Sequence, residues 1–271
     1  MVTLLLPRLA ARAELRVQRA TAVTARNLNA ARHYGYWWVL FSGFFEPVLY
    51  LLSIGLGVGA LVHSFTLPDG RVISYAAFVA PAMLAASAMN GALAESTFNF
   101  FFKMKFAKVY DAMLATPVRP YEIALGELLW ALVRGSIYSV AFLGIMVGMH
   151  LTTAGWALAV FPATVLVGFA FGGMGMALST FMRGWQDFDY VIVVQFAMFL
   201  FAGTFAPAQA YALPMRIVVD LTPLYHAVEL MRGLTTGVPG WGLLWHCAYL
   251  VGFALVGLWL AGRRMTRLLC K

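Results

Sequence analysis

The sequence predicts an all-α integral membrane protein with six transmembrane helices, and three observations carry that reading. The chain of 271 residues is 62% hydrophobic and 11% charged, where soluble globular chains carry about 25% charged residues. Its mean hydropathy is +0.81. Six apolar stretches, near 37–61, 73–97, 123–148, 155–181, 188–206 and 241–262, can each supply the roughly 20 residues a bilayer crossing needs. Each stretch must be helical, because an open strand leaves backbone groups unpaired in lipid. Pro47, Pro81 and Pro162 fall inside these stretches and are tolerable where neighbouring helices satisfy the freed backbone groups.

The basic residues set the orientation. With the N-terminus inside, fifteen Lys and Arg fall on the cytoplasmic side and three on the outside, Arg71, Arg216 and Arg232. Arg134 lies within a span. That asymmetry is the positive-inside pattern, and an even number of spans agrees with it by placing both termini in the cytoplasm. The net charge of +8 is therefore spread between apolar runs rather than gathered for nucleic acid, and a cell-membrane, multi-pass location follows. Residues 1–13 hold a short apolar run with no basic region before it, so no signal cleavage is expected. Cys247 lies in an apolar run and Cys270 is penultimate, which suggests no disulfide framework.

Before the first span, residues 1–36 carry a separate pattern. Arg8, Arg12, Arg16, Arg19 and Arg26 fall within one helical arc, and Leu6, Leu9, Ala13, Val17, Ala20 and Val23 on a neighbouring one. This predicts an amphipathic helix on the cytoplasmic membrane surface, with its basic face toward water and lipid headgroups. At the other end, the connection 207–240 is too apolar for a free loop. It reads as an outer, partly re-entrant segment with a helical run from Pro223 to Leu234, proline suiting a first turn.

Several chemistries are absent from the pattern. There is no phosphate-binding G-x-x-x-x-G-K-[ST] and no H-E-x-x-H. His33, His63, His150, His226 and His246 show no ligand spacing, so each is expected to be an ordinary packing or interfacial histidine and no metal is expected. Charges inside spans are costly and often functional. Glu46, Glu95, Glu127 and Arg134 are such charges. Glu95 and Glu127 suit internal ion pairs or headgroup contacts. Glu46 and Arg134 stand equally well as structural or as path residues. Glu127 and Arg134, seven apart, share one helix face.

The polar stretch KVYDAMLATPVRPYEIALGE, Lys108 to Glu127, is the exception in this apolar chain. Residues 103–115 mix basic, acidic and apolar side chains as a short amphipathic helix does. Thr116–Pro117 ends it, since the residue before proline leaves the helical region. Pro120 begins the next helix, and Glu122 in its first turn complements the helix dipole. The product is a short helix joined to a span by a stiff corner.

Four stretches, in order, resemble the permease subunit of type-2 ABC transporters, in the branch of nodulation-factor export and daunorubicin-resistance permeases. They are FFEPVLYLLSIGLGVGALV (44–62), YAAFVAPAMLAASAMNGALAES (75–96), KVYDAMLATPVRPYEIALGELLWALVRG (108–135) and TFAPAQAYALPMRIVVDLTPLYHAVELMRGL (204–234). The third, with Y-D-A-x-L-A-T-P, a second proline and G-E, is the most specific. The resemblance implies an exporter of two permease chains, identical or related, and two ATP-binding-cassette ATPase subunits. ATP and Mg would be bound by the ATPase partner, with no cofactor in this chain and no enzyme activity of its own. The loop 98–122 would hold a coupling helix docking on that partner through Lys108, Tyr110, Asp111, Leu114, Thr116, Pro117, Pro120 and Glu122, near the surface helix. The substrate would be amphiphilic: a drug, a lipid or a lipid-linked glycan. Phe41, Phe44, Phe45, Glu46 and Tyr50 in the first span and Phe196, Phe199 and Phe201 in the fifth are candidates for its path. A proton-coupled secondary transporter using Glu46 and Arg134 is the alternative, and an integral membrane transferase a more remote one.

Overall fold

The computed structural model describes residues 5–33, 45, 48–62, 64–66, 70, 72–237 and 240–269. The chain is mostly helical. Helix α1 is Leu5–His33, about 44 Å long at 1.5 Å per residue. Helix α2 covers 48–62, π-wound at Ser53–Val58. A two-stranded antiparallel hairpin follows, β1 (Phe65–Thr66) and β2 (Val72–Ile73). Helix α3 runs Tyr75–Lys105, through a π-wound turn at Ala94–Asn99. Then come α4 (Val109–Leu114), α5 (Pro120–Gly148), α6 (Ala154–Ser179), α7 (Asp187–Phe201), α8 (Leu213–Leu221), α9 (Pro223–Thr235) and α10 (Gly242–Leu269).

Among the described residues, four helices are long and apolar enough to cross a bilayer: α3, α5, α6 and α10. Of the expected first span 37–61, only Phe45 and the part from 48 onward fall within the described residues. The expected fifth span is helical over Asp187–Phe201, about 22 Å, short of a hydrocarbon core of about 30 Å. Gly203, with φ at +70°, lies in the bent segment that follows α7.

Helix α3 is the central element, and its composition explains why. Its many alanines, Ala80, Ala82, Ala85, Ala88 and Ala92 among them, are buried, and small residues let helices approach closely. Ser74 caps it, its Oγ accepting from the Ala77 N–H at 3.2 Å. One core gathers around α3, α5, α6 and α9, with Phe78, Met89, Phe142, Phe171 and Met231 inside. Helices α6 and α10 meet at glycines. A Cβ on Gly257 would lie 2.5 Å from the Met174 nitrogen and 2.7 Å from the Gly173 carbonyl carbon, so no other residue fits without moving backbone. A second core, with Phe100, Phe101, Tyr110, Ile123, Leu128, Met176 and Met265, lies under α4 at the opposite end of the bundle from α9.

Helix α9 is fastened by Arg232, which is buried. It donates to Glu229 Oε1 at 2.6 Å and to the Gly203 carbonyl at 2.9 Å, and its guanidinium sits 4.0 Å over the Phe78 ring. Pro223 occupies its first turn.

Two expectations need correction here. The amphipathic helix expected over 103–115 is broken. Residues up to Lys105 continue α3, Lys108 adopts a left-handed backbone at φ 46°, and the short helix is Val109–Leu114 alone. A left-handed residue cannot sit inside a right-handed helix. The apolar arc of α1 is also not all turned to one environment. Ala20 and Val23 are buried while Val17 is 57% exposed. The cause is Gly126 on α5, where a Cβ would meet the Ala20 carbonyl oxygen and the Val23 Cβ at 2.6 Å each. Helix α1 rests on α5 through this glycine, and Thr24 Oγ1 donates to the Gly126 carbonyl at 2.9 Å.

Candidate functional site: the α4 end and the cavity above it

The α4 corner joins exposed residues to a buried footing. Tyr110 is wholly buried, its ring 5.1 Å from that of Phe100. Lys108, Asp111, Thr116 and Pro117 are exposed and Leu114 is half-buried. Thr116 Oγ1 donates to the Met113 carbonyl at 2.6 Å, closing the end of α4. Pro120 starts α5. Glu122 is buried and accepts from the Arg119 N–H at 2.9 Å, while Arg19 of α1 lies 3.7 Å from its other oxygen. So four of the eight expected coupling residues face outward. Tyr110, Pro120 and Glu122 face inward and hold the corner in place.

Behind this corner runs a polar chain. Lys103 donates to Glu127 at 2.6 Å and to Asn27 of α1 at 3.5 Å, and lies 3.9 Å from Glu95. Glu95 also accepts from Asn99 at 2.8 Å, from Trp130 Nε1 at 3.1 Å and from Arg134 at 2.5 Å. Arg134 Nε in turn donates to Tyr138 at 2.9 Å. Tyr110 Oη and Glu127 Oε1 are both buried without a hydrogen bond. Burial, reinforced by the charges of Glu127 and Glu95, pushes the Tyr110 phenol well above its usual range, so it remains an O–H.

Sequence spacing pairs Glu127 with Arg134 on one face, but the partners are different. Each reaches across to α3, Glu127 to Lys103 and Arg134 to Glu95. The π-wound turn is the reason. An extra residue in the turn shifts the register of α3, and Glu95 and Lys103 both face α5.

Above Glu95 a cavity of about 340 Å³ opens between α3, α7 and α2, within the size range of small-molecule sites. From α3 come Met83, Ser87 and Asn90. From α7 come Ile192, Gln195, Phe196 and Phe199, and α2 contributes Tyr50. Gln195 Nε2 donates to Asn90 Oδ1 at 2.6 Å across it. Tyr50, Phe196 and Phe199 of the expected path thus line one space, with Tyr50 and Phe199 edge to face at 6.3 Å. Phe45 and Phe201 are exposed and do not line it. Phe41, Phe44 and Glu46 lie outside the described residues, as do the side chains of Arg8, Arg12 and Arg16. Arg19 is partly exposed beside Glu122 and Arg26 exposed beside Asn27. Asn90 and Gln195 are the residues that sequence reasoning missed; uncharged amides inside expected spans were the available signal.

Two of the histidines, far apart in the sequence, meet in the fold. His226 on α9 and His246 on α10, twenty apart, place their Nδ1 atoms 2.7 Å from one another. Among the described residues no group of three or more His, Cys, Asp or Glu gathers as a metal site.

The profile of ABC-2 family transporter proteins matches residues 38–263. The chain belongs to this ABC-2 transporter family. It is similar to nodulation protein J of Rhizobium leguminosarum bv. viciae, 30% identical over 230 residues, covering 82% of this chain and 86% of that protein. The Sinorhizobium fredii nodulation protein J is 31% identical over 221 residues, 80% of this chain and 81% of that one. The nodulation protein J of Neorhizobium galegae is 29% identical over 234 residues, 82% and 85% respectively. Membership, with four span-length helices, makes this a multi-pass ABC-2 permease and sets aside the proton-coupled alternative and the transferase. Of the two residues that alternative relied on, Arg134 is engaged by Glu95 and Glu46 lies outside the described residues.

Proposed function

We propose that this ABC-2 permease is the membrane-spanning subunit of an ATP-binding-cassette exporter and forms the path for an amphiphilic substrate: a drug, a lipid or a lipid-linked glycan. Two separate ATPase subunits, binding ATP and Mg, drive it, and a second permease chain, identical or related, completes the path. The chain crosses the membrane six times with both termini cytoplasmic. Helix α1 lies at the cytoplasmic surface against lipid headgroups, and 207–240 forms the outer segment.

The observation that carries this reading is the α4 corner. Its exposed residues Lys108, Asp111, Thr116 and Pro117 sit on a stiff mount, and the buried side of that mount meets the polar chain leading to Glu95, beside the cavity. A rigid corner transmits displacement that a flexible linker would absorb. Closure of the ATPase pair would press α4, and the ion pairs would carry the motion to α3 and α5. The cavity's aromatic wall at Tyr50, Phe196 and Phe199 suits the apolar part of an amphiphile.

The test is co-purification from the native membrane in mild detergent, with the retained chains assayed for ATPase activity. Wild-type chain is expected to retain the ATPase. D111K is expected to insert normally and lose it. Retention unchanged in D111K and in a bulky Leu114→Trp would remove α4 as the docking element; no retention by the wild type would remove the exporter reading itself.

A further inference from the structure

Helix α8 turns most of its side chains outward. Leu213, Ile217, Val218 and Leu221 are each more than half exposed, and Val219 is the helix's only buried residue. Its C-terminal end is gripped by a polar clasp from α9 and α10. His226 Nε2 lies 3.0 Å from the Asp220 carbonyl, and Tyr249 Oη donates to the Leu221 carbonyl at 2.7 Å. His226 is in turn held from α10, its Nδ1 2.7 Å from that of His246 and its ring 3.8 Å from the Tyr249 ring. Further along, α9 has its own anchor in Arg232, so α8 can come away while α9 stays.

A carbonyl only accepts, so the His226 proton sits on Nε2. Its Nδ1 must then accept, and the His246 Nδ1 must donate. This arrangement tolerates one added proton, because an imidazolium at His246 still donates its Nδ1–H. The second proton can go only to His226 Nδ1. Two N–H groups, both on cations, then face each other, and the bond is lost. The charges acting on His226 are Asp220 of α8, 4.0 Å from Arg216, Glu229 of α9, paired with Arg232, and His246 of α10 once charged. The Tyr225 and Tyr249 rings flank it. Burial and then His246 lower the His226 pKa from its ordinary 6.5, so the second proton arrives below the ordinary histidine range.

We propose that α8 is a flap latched by His226, His246 and Tyr249, and that the second proton on the histidine pair releases it. Loss of the bond to His246 frees the His226 ring, which then lets go of the Asp220 carbonyl. Only the Tyr249 bond and the burial of Val219 still hold the flap. The device is a two-state element with a histidine sensor. It stands apart from the exporter reading. On the topology proposed above, α8 lies on the outer side and the latch reads the pH there.

The experiment uses the full chain in lipid nanodiscs, which expose both faces, with Cys247 and Cys270 replaced by alanine. One pair of spin labels is attached through Leu213→Cys on α8 and Leu244→Cys on α10. A control pair uses Leu158→Cys on α6 and Val256→Cys on α10. All four positions are exposed. Distances are read by double electron–electron resonance at about pH 7.5 and about pH 4.5, on either side of the histidine range. The α8–α10 distance is expected to form a single population at the higher pH. A longer, broader population is expected to grow about fivefold or more on acidification, with its midpoint below about pH 6.5, while the control distance stays fixed. His226→Phe keeps a ring on Tyr249 but makes neither bond, and is expected to be released at both pH values. His246→Asn carries an amide that donates to a neutral His226 or accepts from a charged one, and is expected to stay latched at both. The two variants thus depart in opposite directions, which a general loss of folding does not produce. A wild-type α8–α10 distance that ignores pH, equal movement of the control pair, a latched His226→Phe, or an unaltered pH response in either variant overturns the proposal.

Discussion

Arg134 Nη1 lies 2.5 Å from Glu95 Oε2, an ion pair that closes α5 onto the π-wound turn of α3. Both side chains are largely withdrawn from solvent, with Lys103 a second positive charge 3.9 Å from Glu95. Removing one partner leaves a buried charge, which costs about 3–5 kcal/mol. Glu95→Gln or Arg134→Leu is therefore expected to lower the thermal unfolding temperature in detergent markedly. The double variant E95L/R134L is expected to recover much of the loss. Additive losses in the double variant would show that the two do not act as a pair.

The Gly126 contact makes a separate prediction. Gly126→Ala puts a methyl into the Ala20 carbonyl and the Val23 side chain, and overpacking of this kind costs about 1–3 kcal/mol. Helix α1 is expected to lift from α5, seen as faster proteolysis or hydrogen exchange in α1 with little change in α6. Thr24→Val removes the hydroxyl that bonds the Gly126 carbonyl and, at 3.2 Å, the Ala20 carbonyl of its own helix, and is expected to cost about 0.5–1.5 kcal/mol.

Tyr110 separates anchoring from docking. Tyr110→Phe keeps the packing on Phe100 and removes a buried hydroxyl whose one polar neighbour is Glu127, outside good hydrogen-bond geometry, so stability is expected to change by less than about 1 kcal/mol. Tyr110→Ala empties a fully buried site and is expected to cost about 3–5 kcal/mol, as large aromatic truncations do. Asp111→Lys, on the exposed face, is expected to change stability by less than about 0.5 kcal/mol. Denaturation curves on the three variants decide this.

The histidine pair predicts a pH dependence. His226 Nε2–H donates to the Asp220 carbonyl at 3.0 Å, so its Nδ1 accepts from His246 Nδ1–H, and its ring stacks 3.8 Å from Tyr249. Burial, then the neighbouring His246, lowers the His226 pKa from its ordinary 6.5, against the opposing pull of Asp220 and Glu229. The Tyr225 ring lies 5.7 Å from the His226 ring as well. A lowered folded-state pKa means the unfolded chain binds the proton first as pH falls. The stabilisation is thus complete above pH 6.5 and is lost as pH drops from there through the lowered value. His226→Phe is expected to flatten unfolding temperature against pH in that window. An unchanged slope would assign it to other groups.

Much of the helical pattern was legible because apolar length and helical punctuation are local properties. Apolar runs marked α3, α5, α6 and α10. Pro120 and Pro223 marked the starts of α5 and α9. The break at Lys108 was not legible, since the surrounding residues favour helix and only a left-handed backbone interrupts them. Nor was the cavity, where Tyr50 and Phe199 were read but Asn90 and Gln195 were not. Aromatic residues in a span advertise themselves as a group. Two amides 105 positions apart carry meaning only once they face each other.

By itself the sequence determined the membrane class, the location of its long apolar helices, the proline corner after α4 and the resemblance to ABC permeases. Each of these follows from composition or from residues close together in the chain. Tertiary structure decided which charges pair, which coupling residues face outward, and that His226 meets His246. Periodicity states which face a residue occupies but not what lies opposite. That depends on the π-wound turn in α3, which sets the register of Glu95 and Lys103 against α5, and on glycines such as Gly126 and Gly257, which set how near the helices come.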